Sequence, residues 1–225
     1  MTTSCWGVVV AAGRGERFGG DRPKALIELA GRPLVVHAVR ALREGGCAGI
    51  VVAAPGALVS AVARLLPEPD VIVVAGGSSR QRSVSAALQA VPAEVGWVLV
   101  HDAARPLVPA SAVASVRTAL AAGAPAVIPV LPVVDTIKSV DAAGEITATV
   151  DRSWLRSAQT PQGFERALLV RALEASASRR DEVTDDAAAV AAIGVPVLTV
   201  PGDAHGLKIT TLDDLIVAEA LLAAG

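Results

Sequence analysis

Residues 11–24 read Ala-Ala-Gly-Arg-Gly-Glu-Arg-Phe-Gly-Gly-Asp-Arg-Pro-Lys. Glycines let backbone N–H groups turn toward an anion, and Arg14, Arg17, Arg22 and Lys24 outnumber Glu16 and Asp21. Such a loop suits the phosphates of a nucleoside triphosphate. The plainer alternative is a flexible glycine loop with solvated charges. It is not a Walker loop, because no Lys follows a Gly and opens a helix. A dinucleotide fingerprint begun by Gly13 and Gly15 meets Phe18 where its third glycine must stand.

The segment Val100-His101-Asp102-Ala103-Ala104-Arg105-Pro106 places a carboxylate at the end of an apolar run. Hard cations such as Mg²⁺ prefer oxygen ligands shared with phosphate, so Asp102 is a candidate metal ligand. A helix cap, or a partner for Arg105, accounts for Asp102 equally well. His101, among apolar neighbours, reads as a hydrogen-bonded structural imidazole. The small residues from Gly76 to Ser79, with Ser83 beyond, allow close approach to a planar base, or simply turn a strand into a helix. Thr184-Asp185-Asp186 resembles a helix N-cap. Lys208, between Leu207 and Ile209, reads as a solvent-facing lysine on a strand.

Other chemistries lack material. There is no Cys/His zinc cluster, no Gly-x-Ser-x-Gly elbow and no His-Glu-x-x-His, and three His leave little for a triad. Abundant cations around one carboxylate suit phosphoryl or nucleotidyl transfer, in which positioning and charge neutralisation dominate.

These groups need a frame. Candidate strands at 7–11, 49–53, 71–74, 97–101, 126–129 and 195–200 alternate with candidate helices at 34–44, 57–66, 83–91, 110–122, 164–176, 185–193 and 212–222. Single helices between strands imply crossovers and a mainly parallel sheet covered on both faces, with ligands outside the strands' carboxyl ends. Thr211-x-x-Asp214 resembles a capping box. The run 135–152 alternates apolar and polar residues around Asp141-Ala142-Ala143-Gly144, a β-hairpin pattern. Such an arm, at about 133–156, is marginal alone and must pack on its own domain or on a partner subunit. No linker divides the 225 residues, so one α/β domain is expected.

Composition narrows the partners. The chain is 52% hydrophobic but only 2% aromatic, so Ala, Val and Leu must fill the core. A net charge of −2 suggests neither a nucleic-acid nor a membrane surface. Pro55-Gly56 interrupts the uncharged stretch 45–63, and residues 1–4 lack the basic start of a secretory signal. Cys5 and Cys47 are expected as buried free thiols in a reducing cytosol rather than a disulfide.

In chain order, Ala11-Ala12-Gly13-x-Gly15-x-Arg17, Pro23-Lys24, Gly76-Gly77-x-x-Arg80-x-x-Ser83-Val84, the 100–106 segment, Asp135-Thr136, Gln159-Thr160-Pro161-Gln162, Thr184-Asp185-Asp186 and Lys208-Ile209-Thr210 resemble one family. It is that of the 2-C-methyl-D-erythritol 4-phosphate cytidylyltransferases of the non-mevalonate isoprenoid pathway. The resemblance runs from Gly7 to about Ala220. It implies a Rossmann-like, nucleotide-diphospho-sugar transferase type of α/β fold with a protruding β-hairpin arm, and transfer of CMP from CTP to 2-C-methyl-D-erythritol 4-phosphate with release of pyrophosphate. It implies catalytic roles for Arg17, Lys24 and Lys208. Ala11, Ala12, Gly13, Gly15, Gly77, Ser83, Asp102 and Ala103 would bind the nucleotide, with Asp102 holding Mg²⁺. Arg105, Thr136, Arg152, Thr160 and Thr184 would bind the acceptor. A cytoplasmic homodimer, each arm completing the neighbour's site, is also implied. Two other readings stay open: a sister enzyme using ribitol 5-phosphate, and a nucleotide-binding module without turnover. The sequence departs from many relatives in placing Ala25 and Leu26 after Lys24.

Overall fold

The computed structural model of the protein describes residues 3–13, 23–179 and 184–224. The chain runs through β1 (Cys5–Val10), a ribbon of β2 (Glu28–Leu29) and β3 (Arg32–Pro33), α1 (Leu34–Glu44), β4 (Gly49–Ala54), α2 (Val59–Leu65), β5 (Val71–Ala75), α3 (Arg80–Ala90), β6 (Trp97–Asp102), α4 (Ala110–Ala121) and β7 (Ala126–Pro132). It continues through β8 (Ile137–Val140), β9 (Ile146–Val150), β10 (Arg156–Ala158), β11 (Gln162–Glu165), α5 (Arg166–Arg179), α6 (Asp186–Ala191), β12 (Leu198–Pro201) and α7 (Leu212–Ala224).

A strand such as Gly7-Val8-Val9-Val10 is apolar on both faces, so it is stable only where both are covered. The main sheet meets that need, with the order β10-β7-β11-β6-β1-β4-β5 and β12 also paired to β7. β6, β1, β4 and β5 are parallel neighbours, as are β12 and β7. Val8, Val51, Val98 and Val100 pack on one face against Val84, Leu88, Leu169 and Leu173 from α3 and α5. Their alternates Val9, Ile50, Val52 and Leu99 pack on the other against Val35, Leu42, Val113 and Val116 from α1 and α4. Each such side chain, taken fully from water, contributes roughly 1.5–3 kcal/mol before chain entropy is counted.

The mostly parallel sheet agrees with expectation, but several boundaries do not. The sequence pattern opens a helix at residue 164. Instead Phe164 lies on β11, fully buried, opposite Val98 and Ala126, and α5 starts at Arg166. β11 runs antiparallel between β6 and β7, and β10 is antiparallel to β7. Gly163 permits this insertion, since a Cβ there would sit 2.4 Å from Val116 Cγ1 on α4. The helix expected at 83–91 begins earlier, at Arg80, because the Ser79 hydroxyl caps it by accepting from the Arg82 N–H at 3.2 Å. The helix expected at 57–66 starts as a 3-10 turn, Gly56–Leu58, and the last strand is β12 at 198–201 rather than 195–200.

The 135–152 segment forms the expected hairpin, β8 against β9, with Asp141 Oδ1 accepting from the Ala143 and Glu145 N–H groups at its turn. Thr211 and Asp214 make the expected reciprocal box at the start of α7. Cys5 and Cys47 are buried free thiols, although the pairing of β1 with β4 brings their side chains into contact. Among the described residues, no helix is long and apolar enough to cross a membrane.

Candidate active site

Parallel strands deliver their carboxyl ends to one edge, and there a cleft of about 1110 Å³ opens. Drug-sized ligands occupy clefts of about 300–1,000 Å³, so this one has room for a nucleotide. Ala11, Ala12, Gly13, Lys24, Gly77, Ser83, Asp102, Ala103 and Lys208 line it. Gly15 and Arg17, with Arg14 and Arg22, lie outside the described residues. The walls beyond β1 and β5 are narrow by construction. A Cβ on Gly76 would sit 2.6 Å from the Ala12 Cβ and 2.9 Å from the Ser83 hydroxyl, so only glycine lets these loops meet. Ser83 ties the turn together, accepting from the Gly77 N–H at 3.1 Å and donating to the Ser79 carbonyl at 2.9 Å.

Asp102 ends β6 in register with Val10 of β1. Its Oδ2 accepts from Lys208 Nζ at 2.8 Å and its Oδ1 from Arg80 Nε at 3.1 Å. Burial alone would raise the Asp102 pKa, but the charges of Arg80 and Lys208 outweigh it and hold the carboxyl well below the usual carboxylate range. Arg80 also donates to Asp186 Oδ2 at 2.7 Å. Burial pushes Asp186 up, an effect that Arg80 partly offsets. Lys208 does not sit on a strand, as its neighbours suggested. It follows a 3-10 turn, Ala204–Gly206, in an irregular segment tied down by the Ile209 N–H donating to the Ala104 carbonyl at 2.8 Å.

Two further side chains fix that segment. The Gln159 carboxamide donates to the Asp203 carbonyl at 2.8 Å and accepts from the Asp203 N–H at 3.0 Å. The Arg105 guanidinium donates to the Gly206 carbonyl at 2.7 Å and to the Ala158 carbonyl at 3.2 Å. Arg105 thus braces the chain that carries Lys208.

His101 is fully buried, and burial pushes its pKa down to about 4. Its Nε2 lies 3.1 Å from the Arg105 carbonyl, which can only accept, so Nε2 carries the proton. Nδ1 then accepts from the Thr160 hydroxyl at 2.9 Å, and Thr160 Oγ1 in turn accepts from the Asp102 N–H at 3.1 Å. The expected structural imidazole is what the chain contains. Thr160 supports Asp102 from behind rather than lining the cleft.

The remaining residues expected at the acceptor site are dispersed. Thr136 and Arg152 stand on the exposed arm, where Arg152 donates to the Val134 carbonyl, and Thr184 is exposed just ahead of α6. The Asp185 side chain caps α6 by accepting from the Ala188 N–H at 2.9 Å, as expected. Arg80 pairs with both Asp102 and Asp186, and neither Arg80 nor Asp186 is among the site residues expected from sequence. The available signal was Ser79, a capping residue type that places Arg80 at a helix start.

A family model described as IspD, 2-C-methyl-D-erythritol 4-phosphate cytidylyltransferase, matches residues 5–224. The chain belongs to this family. A relative in Frankia casuarinae bearing that enzyme's name is 54% identical over 217 residues, covering 96% of this chain and 80% of the relative. One of the same name in Saccharopolyspora erythraea is 51% identical, covering 96% and 98%. The crystal structure of the enzyme of that name from Thermus thermophilus superposes with a TM-score of 0.80 at 36% identity, covering 99% of this chain and all of that one. Membership agrees with the architecture, in which strand ends gather small residues, cations and one carboxylate around a single cleft.

Proposed function

We infer that this chain transfers CMP from CTP to 2-C-methyl-D-erythritol 4-phosphate, giving 4-diphosphocytidyl-2-C-methyl-D-erythritol and pyrophosphate. The observation that carries the mechanism is the cleft in which Asp102 lies between Arg80 and Lys208. The family model and the relatives carry the methylerythritol acceptor in their names, which favours it over ribitol 5-phosphate.

In this reading the narrow backbone walls at Ala11, Ala12, Gly13, Gly77 and Ser83 take the pyrimidine, excluding purines by size. Ala103 and Asp102 lie beside the phosphates. Among the described residues no cluster of three or more His, Cys, Asp or Glu could cage a metal. Asp102, a carboxylate on the cleft wall, would instead hold a Mg²⁺ whose other ligands come from the triphosphate and water, the usual habit of that ion. Bound there, Mg²⁺ would neutralise phosphate charge. Lys24 and Lys208 line the cleft and would offset negative charge growing on the α-phosphoryl oxygens, with Arg17 from the first loop. An oxygen of the acceptor phosphate attacks the α-phosphorus in line. The bond from that phosphorus to the β-phosphate's bridging oxygen breaks, and pyrophosphate leaves. The attacking oxygen is already anionic, so no base is required, in keeping with a neutral His101 locked inside.

We place the acceptor site partly across a dimer. Val134, Val140, Ile146 and Trp154 of the arm region are 77%, 59%, 65% and 87% exposed in the single chain, an apolar surface suited to a second copy. Thr136 and Arg152 on that arm would reach the neighbour's cleft, while Arg105 and Thr160 would support their own cleft from behind and Thr184 would approach the acceptor from just ahead of α6. A cytoplasmic location belongs to the same proposal, supported by two buried free thiols.

Pyrophosphate release with CTP and each acceptor tests the reaction, and light scattering across a dilution series tests the dimer. Release only with methylerythritol 4-phosphate is expected. Release with ribitol 5-phosphate, or with neither, or full activity in a monomer, counts against the corresponding part.

A further inference from the structure

We propose that Arg80 is a positioning residue that aims the Asp102 carboxylate, reserving Oδ2 for a divalent cation carried on the triphosphate. The inference deepens the cytidylyltransferase reading and rests on it.

Arg80 is the first residue of α3, directly after the Ser79 cap and the Gly76-Gly77 turn. The loop that walls the nucleotide pocket therefore also fixes its backbone. Its guanidinium is anchored at both ends, by Nε to Asp102 Oδ1 and by Nη1 to Asp186 Oδ2. Asp186 is 1% exposed, and its Oδ1 has no hydrogen-bond partner among the described residues. Its pairing with Arg80 at 2.7 Å makes Asp186 a second anchor that restrains the arginine fork.

The two oxygens of Asp102 thereby acquire different standing. Oδ1 faces a guanidinium locked into the scaffold. Oδ2 faces Lys208, whose side chain is 43% exposed on an irregular segment and is free to exchange one oxygen partner for another. A planar two-pronged fork can enforce this division, whereas a single ammonium cannot. Asp186 also opens the helix that follows Thr184, so the tether joins the nucleotide side of the cleft to the segment expected beside the acceptor.

Calorimetric titration with CTP tests the idea on the native protein, Arg80→Lys and Arg80→Met, each in EDTA and in excess Mg²⁺. The ratio of the two affinities measures what Mg²⁺ adds to CTP binding. That ratio should fall by about 10- to 100-fold in both variants, the usual loss when a ligand's supporting partner is removed. Any fall of CTP affinity in EDTA should be smaller than the fall in excess Mg²⁺. Arg80→Lys retains the charge, so a loss there isolates aim from charge, and it carries the measurement alone if Arg80→Met does not fold. A native ratio in the folded variants, or an equal fall with and without Mg²⁺, overturns the proposal. A native protein that binds CTP without any gain from Mg²⁺ overturns the metal reading underneath instead.

Discussion

Lys208 Nζ lies 2.8 Å from Asp102 Oδ2, although 106 positions separate the two residues in the chain. The contact places a cation where the triphosphate is proposed to bind, on a side chain exposed enough to move. Lys208→Ala should lower kcat/KM for pyrophosphate release by about 10²- to 10³-fold, the typical loss for one charge-stabilising donor. Thermal stability should also fall, because the buried Asp102 loses one of the two cations that hold it ionised. Near-native kinetics would remove Lys208 from the chemistry.

Gln159 is the buried clasp of the segment that presents Lys208, bonded to both backbone groups of Asp203. Gln159→Leu leaves those groups unsatisfied and should cost about 1–3 kcal/mol in denaturant melts. Because the loosened segment carries Lys208, kcat should fall by more than the KM for CTP rises. Lost stability with native kcat would confine Gln159 to a structural part.

Stability should also depend on His101. Its pKa is about 4 in the folded chain and near 6.5 when unfolded, so between those values the unfolded state binds more protons. Stability is then full above about pH 6.5 and declines as pH falls toward 4, by about 3 kcal/mol over the window. Denaturant melts of the native protein and of His101→Gln should differ in this slope. Parallel slopes would show that another group dominates.

Gly163→Ala tests the packing that admits β11. The added methyl would press on Val116 at 2.4 Å, and overpacking of this kind costs about 1–3 kcal/mol. A variant as stable as the native chain would mean that α4 moves aside freely.

Much of this architecture is legible in sequence because β-branched runs and Ala/Leu stretches announce buried strands and their covering helices. α1, for instance, falls on residues 34–44, where its periodicity places it. β11 escapes notice, since Gln-Gly-Phe-Glu is too short and too polar at its ends to show a strand period. The cleft wall at Ala11, Ala12, Gly13, Gly77 and Ser83 is legible because it is built from loops that follow strands. Lys208 is legible only through the family resemblance, because its apolar neighbours imply a solvent-facing strand and its partner is remote in sequence. Arg105 and Thr160 have side chains suited to a polyol phosphate, yet their hydrogen bonds run to the protein's own Gly206, Ala158, His101 and Asp102. Residue type discloses hydrogen-bonding capacity, while the fold decides where that capacity is directed.

The exposure of Trp154 gives the chain an optical reporter. There are three Trp and no Tyr, so its ultraviolet emission is essentially that of tryptophan. Trp6 and Trp97 are half-buried along the sheet, whereas Trp154 stands 87% exposed beside the arm. A blue shift and loss of iodide quenching on concentrating the protein would follow one surface being covered, without any label attached.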